Sequence, residues 1–180
     1  MQKRSCTTNL LEHTSFIARE LEKKEIKQVE VIYTDFSKAF DRVPASVVER
    51  ALECYGVCGD MLNWFSSYLK TRKQYVQFKN TRSNIFVAKS GVPQGSHCGP
   101  TLYNLVANFA SKSLKEVKFS FYADDAKFCK PVRTIDDCKE LQRVANRFYS
   151  WCCNFGLELN INKCKVMTIP KSKSPVIFSY

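Results

Sequence analysis

The sequence predicts an α+β domain in which helices pack on one face of a mainly antiparallel sheet. Three observations lead there. Segments with helical spacing and segments with alternating spacing are interspersed without strict strand–helix–strand alternation. Two apolar runs, 117–122 and 126–129, flank a tight Ala123-Asp124-Asp125 turn and read as a hairpin, which is an antiparallel unit. The 180 residues are 44% hydrophobic and hold no internal repeat, low-complexity tract or long linker, which suits one domain, or one domain with the edges of its neighbours.

The elements follow in order. Asn9 and Glu12 have the spacing of a capping box, and Leu10, Leu11, Ile17 and Leu21 recur at helical spacing, so a first helix is expected over 9–24. Val29, Val31, Tyr33 and Asp35 share one parity within a β-branched and aromatic run, predicting a strand over 29–35 that ends in a carboxylate. Pro44 stands where a helix takes its first residue, ahead of an apolar face of Val47, Val48, Ala51, Leu52 and Tyr55. A second short helix after Asp60 carries Leu62, Trp64, Phe65, Tyr68 and Leu69. Strand-like pieces follow at 74–78 and 85–89, and GVPQGSHCGP (91–100) is a rigid turn feeding a helix through Asn108. Beyond the hairpin, a helix over 136–151 and a strand over 165–169 complete the pattern.

Composition narrows the partners. The chain has 28 Lys and Arg against 17 Asp and Glu, a formal charge of +11 that suits a polyanion such as nucleic acid, or an anionic membrane face. No apolar stretch approaches the roughly 18 residues that span a bilayer, and no apolar run follows Met1, Gln2, Lys3 and Arg4. The membrane reading falls, and an intracellular protein, cytoplasmic or nuclear, is expected. The nine cysteines lack the two-residue gap of a zinc knuckle, and the histidines are His13 and His97 alone, so zinc is not expected. An odd cysteine count fits reduced thiols.

The acidic residues carry the chemistry. Asp35 ends a strand, while Asp124 and Asp125 sit at a hairpin tip between apolar residues. Paired carboxylates in an apolar setting are costly unless a cation lies between them, and an oxygen-only donor set selects a hard ion, Mg²⁺ or Mn²⁺. Alone, an Asp-Asp pair reads first as a polar hairpin turn. The surrounding stretches overturn that reading. VIYTDFSKAFDRVP (31–44), GVPQGSHCGPTLYNL (91–105), FSFYADDAKF (119–128) and GLELNINKCKVM (156–167) stand in an order and at gaps that resemble the four catalytic motifs of reverse transcriptases from non-LTR retrotransposons, the jockey-like elements most of all. The resemblance covers nearly the whole chain.

It implies a polymerase palm with part of the fingers: 1–28 as the end of the fingers region, and 29–180 as palm with a fingers insertion at about 44–90. It also implies RNA-templated DNA synthesis by two-metal nucleotidyl transfer in a mobile element. The partners would be an RNA template, a DNA primer and deoxynucleoside triphosphates, with two Mg²⁺ (or Mn²⁺) ions as cofactors. Asp35, Asp124 and Asp125 become the catalytic metal ligands. Phe40 takes the place of an aromatic under the incoming sugar, with core filler as the plainer alternative. Gln94 and Gly95 match the stretch near nucleotide and template, or form only a turn that starts a helix. Tyr122 would support the primer end, or simply pack. Lys163 resembles the lysine that faces the triphosphate; a solvated surface lysine is the alternative, and Lys165 competes for the role. His97 and Cys98 depart from the aliphatic residues usual in the second motif. The upstream fingers, the thumb and the endonuclease are expected outside these residues, in the full-length element protein. The alternative is a truncated, inactive transposon remnant that at most binds nucleic acid.

Overall fold

The computed structural model describes residues 5–111, 114, 116–122, 125–171 and 173–180. In chain order the elements are α1 (Cys6–Glu22), β1 (Gln28–Asp35), α2 (Ala39–Arg42), α3 (Ala45–Cys54), α4 (Gly59–Lys70), β2 (Lys73–Gln74), β3 (Gln77–Phe78), β4 (Thr81–Arg82), β5 (Phe86–Val87), α5 (Gly99–Ser111), β6 (Lys118–Tyr122), β7 (Asp125–Val132), α6 (Ile135–Asn154), a 3₁₀ turn (Ile161–Lys163) and β8 (Lys165–Pro170). They gather into two units. One is built on the principal sheet and takes most of α6; the other holds residues 37–110 together with 152–158.

In the first unit, four antiparallel strands lie in the order β6-β7-β1-β8. The α+β expectation holds, with the sheet antiparallel throughout. Because side chains alternate across a strand, the sheet has two distinct faces. On the face of even-numbered β1 residues, Phe128 and Phe119 stack at 5.1 Å, and Phe148 of α6 meets Phe128 at 4.9 Å. Phe36, the residue after β1, joins this layer against Phe121 and Phe148. Helix α6 therefore packs on one face, but the helices are not confined to it as expected, because both faces of the strands carry apolar residues that need cover. Helix α1 covers the other: Val29, Val31 and Cys129 form a buried cluster against Phe16, Ile17 and Leu21. His13 seals that contact, its Nδ1 lying 3.3 Å from Cys129 Sγ and its Nε2 3.4 Å from the Tyr33 hydroxyl. Burial, with the Lys127 charge, holds the His13 pKa below its ordinary value, and burial pushes the Cys129 thiol up to about 11. Both side chains are thus neutral packing groups.

Several local expectations shift for identifiable reasons. Helix α1 starts a turn earlier than 9–24, because Ser5 and Thr8 cap it reciprocally. Asn9 and Glu12 act elsewhere instead, Asn9 donating to Ser120 Oγ and Phe121 O while Glu12 pairs with Lys118. Strand β1 is not half-polar, since Gln28 and Glu30 are buried with Val29 and Val31. The Gln28 side chain exchanges two hydrogen bonds with the main chain of Val176, and Glu30 accepts from Gln28 and Thr168, so the segment after β8 covers them. Strand β7 runs past the expected 126–129 to Val132 and includes Pro131. That proline is tolerated because β6 pairs only as far as Cys129, leaving β7 one partner there.

The second unit has its own core of Val43, Val48, Ala51, Leu52, Leu69, Val92, Leu102, Tyr103 and Val106. Pro44 is the N-cap of α3 rather than its first residue. Of the apolar residues expected on α4, Leu69 is buried, while Trp64 stays exposed and stacks on Tyr68. The strand-like 74–78 and 85–89 break into two short ladders, β2 with β5 and β3 with β4. Among the described residues, no helix is long and apolar enough to cross a membrane.

Asp137 fixes the start of α6. Its Oδ2 accepts from the backbone N–H groups of Arg133 and Thr134 at 2.9 and 3.1 Å. Burial raises the carboxyl pKa, but those donors and the Arg133 and Lys130 charges outweigh it, and the net shift is downward. Asp137→Ala should therefore cost about 1 kcal/mol at neutral pH. A lowered folded-state value means the contribution is complete above the ordinary aspartate value of 3.8 and fades as pH falls below it. Urea denaturation of both proteins from pH 7 to pH 3 would show the gap narrowing; a gap independent of pH would contradict the assignment.

Candidate active site

The carboxylates are placed by strand register. Asp35, the last residue of β1, is the Cα partner of Asp125, the first residue of β7, and Asp125 is in turn the partner of Tyr122. Directly opposed residues project from the same face, so two negative charges stand opposite each other, which is destabilising. Asp125 is exposed, whereas the Asp35 side chain is only 19% exposed. Asp35 Oδ2 is buried without a hydrogen bond, and the Lys163 ammonium lies 3.3 Å from it.

Lys163 reaches that oxygen because the chain is pinned beside Asp35. The Asn160 N–H donates to the Asp35 carbonyl at 2.8 Å, and Phe36 bridges to Leu159. The Asn160 carbonyl then accepts from the N–H groups of Lys163 and Cys164, closing the 3₁₀ turn. Lys165 opens β8 in register with Tyr33 instead, so of the two candidate lysines it is Lys163 that meets Asp35. Asp124 and the Tyr122 side chain lie outside the described residues; the Tyr122 backbone ends β6.

Among the described residues, no cluster of three His, Cys, Asp or Glu side chains is grouped as a metal site. The donor chemistry nonetheless fits a hard cation. A buried carboxylate oxygen without a donor, opposed to a second carboxylate and already faced by a positive charge, is a position where added cationic charge relieves both repulsion and desolvation.

In the second unit, Phe40 and Gln94 share a scaffold. The chain enters α2 through Lys38, whose φ of 53° is left-handed. Phe40 is half-buried and stacks on the buried Tyr103 at 4.4 Å, so one side of its ring is propped by α5. The turn at 90–95 is laced to α2 and the residue after it. Val92 N–H donates to the Phe40 carbonyl, Gly91 N–H to the Val43 carbonyl, and the Ser90 hydroxyl to the Asp41 carbonyl. Gly91 is obligatory there: its φ is 82°, and a Cβ would lie 2.6 Å from the Phe40 oxygen. Gln94 is exposed and its amide nitrogen donates to the Asp41 carboxylate. Gly95, with φ of 78° and open space around it, lets the chain turn away. His97 is exposed and Cys98 half-buried.

Asp35, Asp125 and Lys163 thus come together in one unit, and Phe40, Gln94 and Gly95 lie in the other. Sequence reasoning missed Asp41, Asn160 and Tyr103. The second carboxylate of the 31–44 motif was a visible signal for Asp41. Asn160 acts through its main chain and Tyr103 as a buried prop, and neither role has a local signature.

A family model described as "Reverse transcriptase (RNA-dependent DNA polymerase)" matches residues 1–178. The RNA-directed DNA polymerase from mobile element jockey of Drosophila funebris is 29% identical over 163 residues, covering 86% of this chain and 17% of that protein. A probable RNA-directed DNA polymerase from transposon BS of Drosophila melanogaster is 28% identical over 81% of this chain. The chain spans about a sixth of the length of these curated relatives, 17% in each case. Among solved structures, apo telomerase from Candida tropicalis, truncated from its C-terminal domain, superposes with a TM-score of 0.71 at 14% identity, over 95% of this chain and 37% of that one. At that identity the likeness concerns the fold. With the motifs in order, the sheet register in place and a family match across nearly every residue, this chain belongs to the reverse transcriptase (RNA-dependent DNA polymerase) family.

Proposed function

We propose that this chain carries the catalytic palm of an RNA-templated DNA polymerase of a mobile element, working by two-metal nucleotidyl transfer. The observation that carries the reading is Asp35: a buried, hydrogen-bond-free carboxylate oxygen at a strand end, in register with Asp125 and faced by Lys163. Asp35, Asp124 and Asp125 would hold two Mg²⁺ or Mn²⁺ ions, which when bound make the primer 3′-hydroxyl more acidic and neutralise charge on the triphosphate.

The remaining work is positioning. Asp35 cannot swing away, since its carbonyl is tied to Asn160 and the next residue, Phe36, is buried in the aromatic layer. Lys163 keeps its ammonium at the carboxylate oxygen and, being two-thirds exposed, has the reach to face a triphosphate and give a proton to departing pyrophosphate. Phe40, backed by Tyr103, presents a rigid ring that a 2′-hydroxyl would strike. Gln94 has its amide oriented by Asp41 beside Gly95, and so offers a fixed polar group to nucleotide or template. The backbone of Tyr122 opposite Asp125 sets its residue beside the carboxylates, where a primer end would rest. The +11 charge supplies phosphate affinity independent of sequence.

Three outcomes are expected. Asp35→Asn should lower primer extension at least about a thousandfold while leaving primer–template affinity within a small factor. Near-normal incorporation by that variant would refute the mechanism. Phe40→Ala should reduce the preference for deoxy- over ribonucleotides, measured as a ratio of kcat/KM, by about tenfold; an unchanged ratio would return Phe40 to a packing role. Lys163→Gln should tighten Mn²⁺ binding, followed by calorimetry or electron paramagnetic resonance, by up to about fivefold, since a half-exposed ion pair is worth at most about 1 kcal/mol. Weaker or equal Mn²⁺ binding would show that the lysine does not compete for the carboxylate.

A further inference from the structure

Helix α4 carries an outer surface that its own unit does not cover. Asp60 and Lys70 stand near its two ends, and residues 61–69 between them include no charge. A surface helix ordinarily sets charged or polar groups on its outer side, and one without them is ordinarily buried. Leu69 is buried, yet Met61 is 59% exposed and Trp64 52%. The Trp64 ring is already held, stacked on Tyr68 at 5.2 Å and edge-on to Phe65 at 5.0 Å, so covering it would cost little side-chain freedom.

The chemistry of this face narrows what would cover it. Between its two ends it offers no cation to a phosphate, so it lacks the positive footprint of a nucleic-acid surface. An apolar, nearly neutral helix face suits another helix. At 3.6 residues per turn, Met61 and Tyr68 fall on one flank of Trp64, while Asp60, Ser67 and Lys70 fall on the other. A second α4, laid antiparallel about a two-fold axis at Trp64 and Phe65, is complementary to this pattern. Met61 then meets the ring of Tyr68 in the second copy, Asp60 meets Lys70, and the small, exposed Ser67 lets the backbones approach. A parallel pair would instead set Asp60 against Asp60 and Lys70 against Lys70. Lys70 pairs with Glu49 at 2.8 Å but keeps 54% of its side chain exposed, which leaves it open to a second carboxylate. We propose that the outer face of α4 is a self-association surface, on which two copies of this chain pair antiparallel about Trp64.

Area sets the strength of the pairing. With about half of each large side chain already covered, roughly 100 Å² apiece remains to be buried, which totals well under the roughly 1,200 Å² at which stable complexes begin. The dimer is therefore transient, with a dissociation constant on the order of 100 µM. Each copy carries +11, so the two repel and association should tighten as salt is added, the reverse of binding to a polyanion.

Sedimentation velocity on the whole chain, from well below to well above that concentration and at low and high salt, tests the proposal. The parent should pass from monomer to dimer, more readily at high salt. Trp64→Lys, which places two ammonium groups at the axis, should stay monomeric throughout. Ser67→Arg, at an exposed small residue, takes its place if Trp64→Lys lowers the urea midpoint. Asp60→Lys and Lys70→Glu should each dimerise about threefold less tightly than the parent, because like charges then meet at both ends. An equimolar mixture of those two variants should associate more tightly than either alone, since opposite charges face each other again in the mixed pair. A parent that remains monomeric at every concentration would overturn the proposal. A dimer that survives both Trp64→Lys and Ser67→Arg, or a mixture no tighter than its components, would do the same. Loss of oligonucleotide affinity in Trp64→Ala with its molar mass unchanged would assign the face to nucleic acid instead. None of these readings passes through nucleotide transfer, so the surface stands or falls apart from the proposed chemistry.

Discussion

The antiparallel register of β1 on β7 is the constraint from which the rest of the site follows. It sets Asp35 opposite Asp125 on one face and sends Phe36 into the aromatic layer on the other. A slip of one residue would reverse both placements at once, since the side-chain period of a strand is two. Phe119, Phe121, Phe128 and Phe148 resist such a slip, because exposing rings of this size would cost several kcal/mol. The apolar layer thus holds the carboxylates together against their mutual repulsion, with no need for attraction between them.

This arrangement places an electrostatic cost where chemistry is proposed to occur. A buried carboxylate oxygen without a hydrogen bond, opposed by a second carboxylate, would ordinarily be selected out of a stable domain. Lys163 relieves part of the cost from outside the sheet, and it does so from a 3₁₀ turn whose own geometry is fixed by the Asp35 carbonyl. Main-chain pinning and side-chain compensation therefore come from the same short segment. The third motif contributes one carboxylate by register, and the fourth contributes a cation by a turn.

The second unit solves a different problem, that of presenting exposed polar and aromatic groups without letting them drift. Gly91 brings the 90–95 turn into contact with the backbone of Phe40 and Asp41, and the hydrogen bonds of Val92, Ser90 and Gln94 then hold it there. Phe40 stands on Tyr103, so its exposed side is defined by what packs beneath it. Arg72 extends the same network to the start of β2.

The family was legible in the sequence because it resides in short contiguous patterns: a strand ending in Asp35, an Asp-Asp pair between apolar runs, and a glycine turn before a helix. Propensity and spacing are local properties, and they also located α1, β1, α3, α5 and α6 to within a few residues. Tertiary structure decided everything that depends on which segments meet. The capping of α1 by Ser5 and Thr8 freed Asn9 and Glu12 to bind β6. The burial of Gln28 and Glu30 followed from the return of the chain after β8. The choice of Lys163 over Lys165 came from a main-chain bond between Asn160 and Asp35, 125 residues apart in sequence. Such pairings carry no local signal, because a backbone hydrogen bond can be made by any residue and only the packed sheet determines which one is near.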